Sequence, residues 1–345
     1  MDLELITETV QKNCDLVDAR HGQDYGLCIY LLKMRDYYRW QNRIPLHIDL
    51  VNDEIHSWIA KIEAYWDEIN EDPFRHMKIN GQYLNPFHTG QINDLLNPNG
   101  LVYSGGLGYG SIPLFFLAKL ETQEKRSGFN ILISGEEYAR GLFGPPALFF
   151  ENNIFIRREA LQYFLWSRYD EWLFSMRDND LGKAVNHYSF KDNPQKAIKE
   201  ITENELETVI QHEIGEGLLE KEFKHYWRDM IVDFVHTKTE ILLRAVRDLA
   251  ADCTTTLPYL LEKKFEPSLN LYFAGFTDMR KELFPSLYAS FKTWQKSKDY
   301  SMLIDLSEKG KTYWLNVGKK IIDIYKADGA KARQAIDEFI EGSAK

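Results

Sequence analysis

The chain has 345 residues, with 44% hydrophobic and 14% aromatic side chains, enough to bury a core, so extended disorder is excluded. Its formal net charge of −10 argues against nucleic acid or an anionic membrane surface as the main partner, because both select a basic field. The three cysteines, Cys14, Cys28 and Cys253, form no CxxC pair and suit a reducing compartment.

From the N-terminus, "MDLELITETVQKNCDL" has neither a basic start nor an apolar core of a secretory leader. No run approaches the roughly 18 apolar residues of a membrane span. A soluble, cytoplasmic protein is expected. Residues 1–70 read as helical, and "DYGLCIYLLKMRDYYRWQ" (24–41) is apolar on most sides. Arg35 shares a stripe with Cys28, Leu31 and Tyr38. It can clamp an anionic ligand, or simply lay its stem along the core with its head in water.

Residues 70–100 are dense in Asn, Pro and Gly without periodicity, the pattern of an ordered functional loop or a boundary. "SGGLGYGS" (104–111) lacks GxGxxG spacing and a following GK[ST], so no nucleotide cofactor is expected. The glycines read as a sharp turn into a sheet. "PLFFLAKLE" (113–121) and "FNILIS" (129–134) flank a polar turn, and "ALFF" (147–150) and "IFIRR" (154–158) flank "ENN". These predict two short hairpins in one small antiparallel sheet. Arg157 and Arg158 at the last strand end are candidate anion ligands, against a plainer reading as a solvated terminus.

Beyond Arg158 the pattern is helical. Asn193–Pro194 predicts a helix start and "TENE" (202–205) has capping-box form. Pro258 predicts a break and Pro285 a kink or end. The fold class is therefore α+β, predominantly helical, with a small antiparallel sheet in the middle third. Residues 1–345 read as one unit with sub-regions 1–70, 71–160 and 161–345.

"QHEIGEGLLEKEFKH" (211–225) carries the chemistry. On a helix, His212 and Glu216 four residues apart share one edge and can chelate one ion. Glu216 stands where a zinc protease motif has its second His, which makes the set oxygen-rich and suited to zinc, iron or manganese. Glu213 falls inside the apolar stripe, where a carboxyl must be paired, protonated or bound to metal, and it is the candidate general base. Gly215 and Gly217 weaken a helix interior. If the chain reverses at Gly217, His225 comes level with His212 as a third ligand. If the helix runs straight, His225 points away and cannot join.

His225, Asp229, Asp233, His236, Glu240, Arg244, Asp248 and Asp252 then follow at steps of three or four, read as a salt-bridge ladder. Its drift turns Asp248 and Asp252 toward the apolar side and makes Asp252 a buried-acid candidate.

At "LLKMRDYYRW" (31–40), "IFIRREAL" (154–161) and "HEIGEG" (212–217), the chain resembles a family of bacterial proteins to which no activity is assigned. The resemblance covers most of the length and implies a single family-wide unit, with no catalytic residue transferred. Two functions compete: a metal-dependent hydrolase or oxidoreductase centred on HEIGE, and a helix-rich binding protein without metal. An anion binder using Arg35, Arg157 and Arg158 is a third. Substrate, protein partner and oligomeric state stay open at this level.

Overall fold

The computed structural model describes residues 1–108 and 112–345, and its contacts divide the chain into two compact units. Unit 1 is residues 1–126 with 130–167. Unit 2 is 127–129 with 168–345.

Unit 1 begins with three helices, α1 (Leu3–His21), α2 (Leu27–Gln41) and α3 (Asn52–Ile69). The Asn-, Pro- and Gly-rich stretch after them is not one loop. It holds a small hairpin of β1 (Met77–Ile79) and β2 (Gln82–Leu84), then α4 (Thr89–Leu96). Met77, Ile79, Ile92 and Leu96 are fully buried there, so burial rather than periodicity orders a segment too short to show a repeat.

The main sheet has five strands: β3 (Leu101–Leu107), β4 (Pro113–Arg126), β5 (Phe129–Arg140), β6 (Ala147–Phe150) and β7 (Asn153–Arg157), in the order β3-β4-β5-β7-β6. Both expected hairpins contribute to it, and β3·β4 and β6·β7 are antiparallel. The β5·β7 pair is parallel, with Ile131 opposite Ile154 and Ser134 opposite Arg157, so the sheet is mixed rather than antiparallel throughout. Strand β6 is short and takes the edge, which leaves β7 to pair with β5. Alternation sends Tyr103, Phe115 and Leu117 to one face, against Ile6, Val10 and Cys14 of α1. Val102, Phe116, Leu132 and Phe155 go to the other.

Of "SGGLGYGS", residues 104–107 continue β3, and 109–111 lie outside the described residues. Gly105 is required by crowding, since a Cβ there would meet the Pro86 carbonyl at 2.0 Å.

Helix α5 (Arg158–Ser175) follows the sheet. The remaining helices are α6 (Asp180–Val185), α7 (Pro194–Phe223), α8 (His225–Asp233), α9 (Lys238–Ala251), α10 (Leu257–Lys263), α11 (Glu266–Ala274), α12 (Asp278–Leu283), α13 (Pro285–Ser297), α14 (Ser301–Asp328) and α15 (Arg333–Glu341). Their core includes Leu249, Leu257, Phe273, Phe291, Trp294 and Trp314. No helix among the described residues is long and apolar enough to cross a membrane.

Helix α7 starts as expected. The Asn193 side chain caps it by accepting from the Lys196 amide at 3.0 Å, and Pro194 takes the first turn, where no amide is needed. "TENE" caps nothing, because it lies inside the helix. There Thr202 is fully buried and its hydroxyl donates to the Ile198 carbonyl at 2.6 Å. The helix then runs unbroken for 30 residues through Gly215 and Gly217 to Phe223. The reversal considered at the glycine pair does not form. The turn comes instead at Lys224, which has φ of +57°.

Pro258 likewise ends nothing abruptly. A π turn, Asp252–Thr256, joins α9 to α10, so the missing proline amide falls where the ladder is already widened.

Candidate metal centre

Helix α7 and the α9–π segment cross closely, and glycine permits it. A Cβ on Gly215 would stand 2.5 Å from Thr255 Oγ1 and 2.8 Å from the Ala251 carbonyl oxygen. The Thr255 hydroxyl fastens the crossing by donating to the Gln211 carbonyl at 2.5 Å. Beside this contact α7 presents His212, Glu213 and Glu216. Across it stand Asp248 from the last turn of α9 and Asp252 from the π turn. Each segment thus offers a pair four residues apart, the spacing that places two side chains on one face.

One ligand atom each from His212, Glu216 and Asp248 lies within 4.8 Å of the other two. One imidazole and two carboxylates in that space are a donor set that could hold a divalent ion. His212 is held from both sides. Its Nδ1 is 2.9 Å from Asp252 Oδ1, and its Nε2 is 3.6 Å from Glu216 Oε1. The Asp252–His212 contact has the form of the carboxylate–imidazole pair that orients a ligating histidine through its far nitrogen. Asp252 is itself fixed by the Tyr272 hydroxyl at 2.8 Å and Arg280 NH1 at 3.2 Å. Glu216 Oε1 accepts from Arg247 NH2 at 2.7 Å.

The electrostatics follow from burial and these partners. Burial opposes charge on His212, yet its hydrogen bonds with Asp252 and Glu216 outweigh it, and the imidazole is held well above its ordinary range. Burial raises Glu216 too, but Arg247 and His212 overcome it and pull the carboxyl down to about 2. Asp252 moves down in the same way through His212 and Arg280. Glu213 is only 8% exposed, and its Oε2 has no hydrogen-bond partner. Burial, then the charge on Glu216, pushes it up to about 8. Asp248 shifts upward for the same two reasons.

Of the residues singled out in sequence, His212, Glu213 and Glu216 stand together here. His225 does not. It begins α8, is exposed, and its ring lies against Tyr226 at 4.0 Å between centroids. The straight course of α7 removes it. Asp248, which the drift of the ladder turns toward the apolar side without marking it as a ligand, stands beside His212 and Glu216, and Asp252 is buried. Within that ladder Glu240–Arg244 does pair at 2.8 Å, but Glu240 is 1% exposed and also accepts from the His236 amide at 2.8 Å.

The three arginines of the anion reading do not form one site. Arg157 is fully buried, not solvated, and donates to Glu137 at 2.6 Å beneath the sheet. Arg158 donates to Glu121 at 2.9 Å, and Arg35 lies beside Asp36 at 3.5 Å. Each is engaged with its own carboxylate.

Arg247, Tyr272 and Arg280 were not found from sequence. Only Arg247, one residue before Asp248, had any local cue. Tyr272 and Arg280 come from α11 and α12, joined to the cluster by tertiary packing alone.

Two family models meet end to end on this chain. The N-terminal domain model of a family of unknown function, DUF6866, matches residues 5–157, and its C-terminal domain model matches 162–343. The chain belongs to the DUF6866 family. The candidate centre lies wholly within the DUF6866 C-terminal domain, and the five-stranded sheet within the N-terminal one. No curated protein and no solved structure matches the chain.

Proposed function

We propose that this DUF6866 protein is a metal-dependent enzyme, a hydrolase or an oxidoreductase, whose divalent ion is held by His212, Glu216 and Asp248. The convergence of their three ligand atoms within 4.8 Å at a glycine-fitted helix crossing carries the reading. A zinc ion there supplies Lewis acidity for hydrolysis, and iron or manganese suits oxidation. Asp252 positions His212 through Nδ1 and leaves Nε2 toward the ligand set. Glu213, buried and with one oxygen unpartnered, is the group to take up and return a proton beside the ion. Arg247 and Arg280 limit the surplus of negative charge that four neighbouring carboxylates create.

A second reading has its own observation. Arg247 on Glu216 and Arg280 with Tyr272 on Asp252 tie two of the carboxylates to three other side chains, so the cluster also works as a clamp between helices in a non-catalytic binding protein.

Metal analysis of the purified full-length protein separates the two. The enzyme reading expects one zinc, iron or manganese per chain, lost in His212→Ala and Glu216→Ala. Metal-free protein that takes up none of the three on incubation favours the clamp.

A further inference from the structure

One side chain beside the candidate centre is readily oxidised. Tyr272, from α11, donates its hydroxyl to Asp252 Oδ2 at 2.8 Å, and the other oxygen of that carboxylate lies 2.9 Å from His212 Nδ1. A phenol, a carboxylate and an imidazole thus stand in line, with the far nitrogen of the imidazole toward the proposed ligand set. Among the described residues, no other tyrosine hydroxyl bonds to a carboxylate or imidazole of the cluster.

The surroundings suit this phenol to giving up an electron, beyond bracing Asp252. A phenol that loses an electron becomes a far stronger acid than any carboxyl group, so it must pass its proton on in the same step. Asp252, kept as a carboxylate by Arg280 at 3.2 Å, stands where that proton leaves. Burial and the charge on Asp252 hold the phenol well above its ordinary range, so it stays protonated until oxidised. Its ring lies against Phe273 and Phe276, at 5.1 Å and 6.0 Å between centroids, both buried and both far harder to oxidise than a phenol. An unpaired electron would therefore remain on Tyr272. The donor set points the same way, because two carboxylates to one imidazole is a hard set that suits iron or manganese.

We infer that Tyr272 is a one-electron donor to the centre, with a peroxide as the oxidant. The inference rests on the metal-dependent reading above and selects its oxidoreductase branch. The step balances with hydrogen peroxide. The peroxide takes one electron from the divalent ion, which becomes trivalent, and one from Tyr272, which becomes a neutral tyrosyl radical. Its O–O bond breaks to give two hydroxides, and one of these becomes water with the phenol proton that Asp252 has accepted. Zinc, which has no electron to give, cannot support the step.

Electron paramagnetic resonance of the full chain tests this. Metal-stripped protein is loaded without air with one equivalent of Fe²⁺, its bound iron is measured, and one equivalent of hydrogen peroxide is added. The parent should show a tyrosyl radical, recognised by the narrowing of its signal when ring-deuterated tyrosine is incorporated. The signal should be lost in Tyr272→Phe at equal iron content, and should not arise with zinc in place of iron. In the parent a nitroso spin trap should mark Tyr272 in the peptide map, a readout that decides even if the variant does not fold. Bound iron without a tyrosyl signal, the same signal in Tyr272→Phe, or trapping at another tyrosine overturns the assignment and leaves the ion site standing. Protein that takes up no iron removes the ion site for iron, and this inference with it.

Discussion

Each unit buries a cluster of charges, and the two clusters are built differently. In unit 1, Glu137 sits between Arg157 at 2.6 Å and Arg140 at 3.3 Å, all three nearly or fully buried at the ends of β5 and β7. Guanidinium is in excess, no imidazole is present, and the Arg157 charge rests over the Phe116 ring at 4.6 Å. Nothing in that set can ligate a metal except one carboxylate already in use. In unit 2 the excess is of the other sign. Glu213, Glu216, Asp248 and Asp252 face Arg247, Arg280 and His212, with the imidazole reaching two carboxylates at once. A cation surplus on strands makes a closed structural lock. A carboxylate surplus with a histidine on crossing helices is the arrangement on which the proposed ion site rests.

The contrast can be broken at its strongest point first. Glu137→Ala takes from the buried Arg157 and Arg140 guanidiniums the carboxylate they share and should cost about 3–5 kcal/mol in chemical denaturation. A loss below about 1 kcal/mol would show that the unit 1 cluster is not a lock. Gly215→Ala comes next, at about 2–3 kcal/mol, because the new methyl meets the Ala251 backbone, which cannot rotate away. If the variant is as stable as the parent, the helix crossing is looser than the structure shows.

Glu213 sharpens the comparison through pH. Its carboxyl is raised in the folded protein to about 8, so its contribution is whole below the unfolded value and is lost as pH climbs through 8. Glu213→Gln should accordingly gain on the order of 2 kcal/mol over the parent at pH 8 and nothing at pH 4. Parallel stability–pH curves for the two proteins would contradict a buried, raised carboxyl. The smallest effect is expected at Asp252. Asp252→Asn keeps the shape but removes the charge orienting His212, and should weaken Mn²⁺ binding about tenfold. An unchanged affinity would take Asp252 out of the positioning role.

The sequence carries some of this openly and hides the rest for physical reasons. Strand runs between polar turns marked β4 to β7, since each holds an apolar run bounded by polar residues. The parallel pairing of β5 with β7 left no local trace, because it depends on which strand takes the sheet edge. His212, Glu213 and Glu216 were legible through helical spacing alone. Gly215 and Gly217 were misleading. Their local cost in a helix argued for a stop, whereas Gly215 is there to admit a neighbouring helix. Asp248 was missed because a ladder read along one helix says nothing about what faces it from another.

The central claim is that His212, Glu216 and Asp248 form one ion site. Titrating Mn²⁺ and Zn²⁺ into metal-stripped full-length protein, beside Asp248→Ala, tests it most directly. The account predicts one site per chain in the parent and at least a tenfold weaker one in the variant. Identical isotherms for parent and variant, or no binding in the parent, would contradict it.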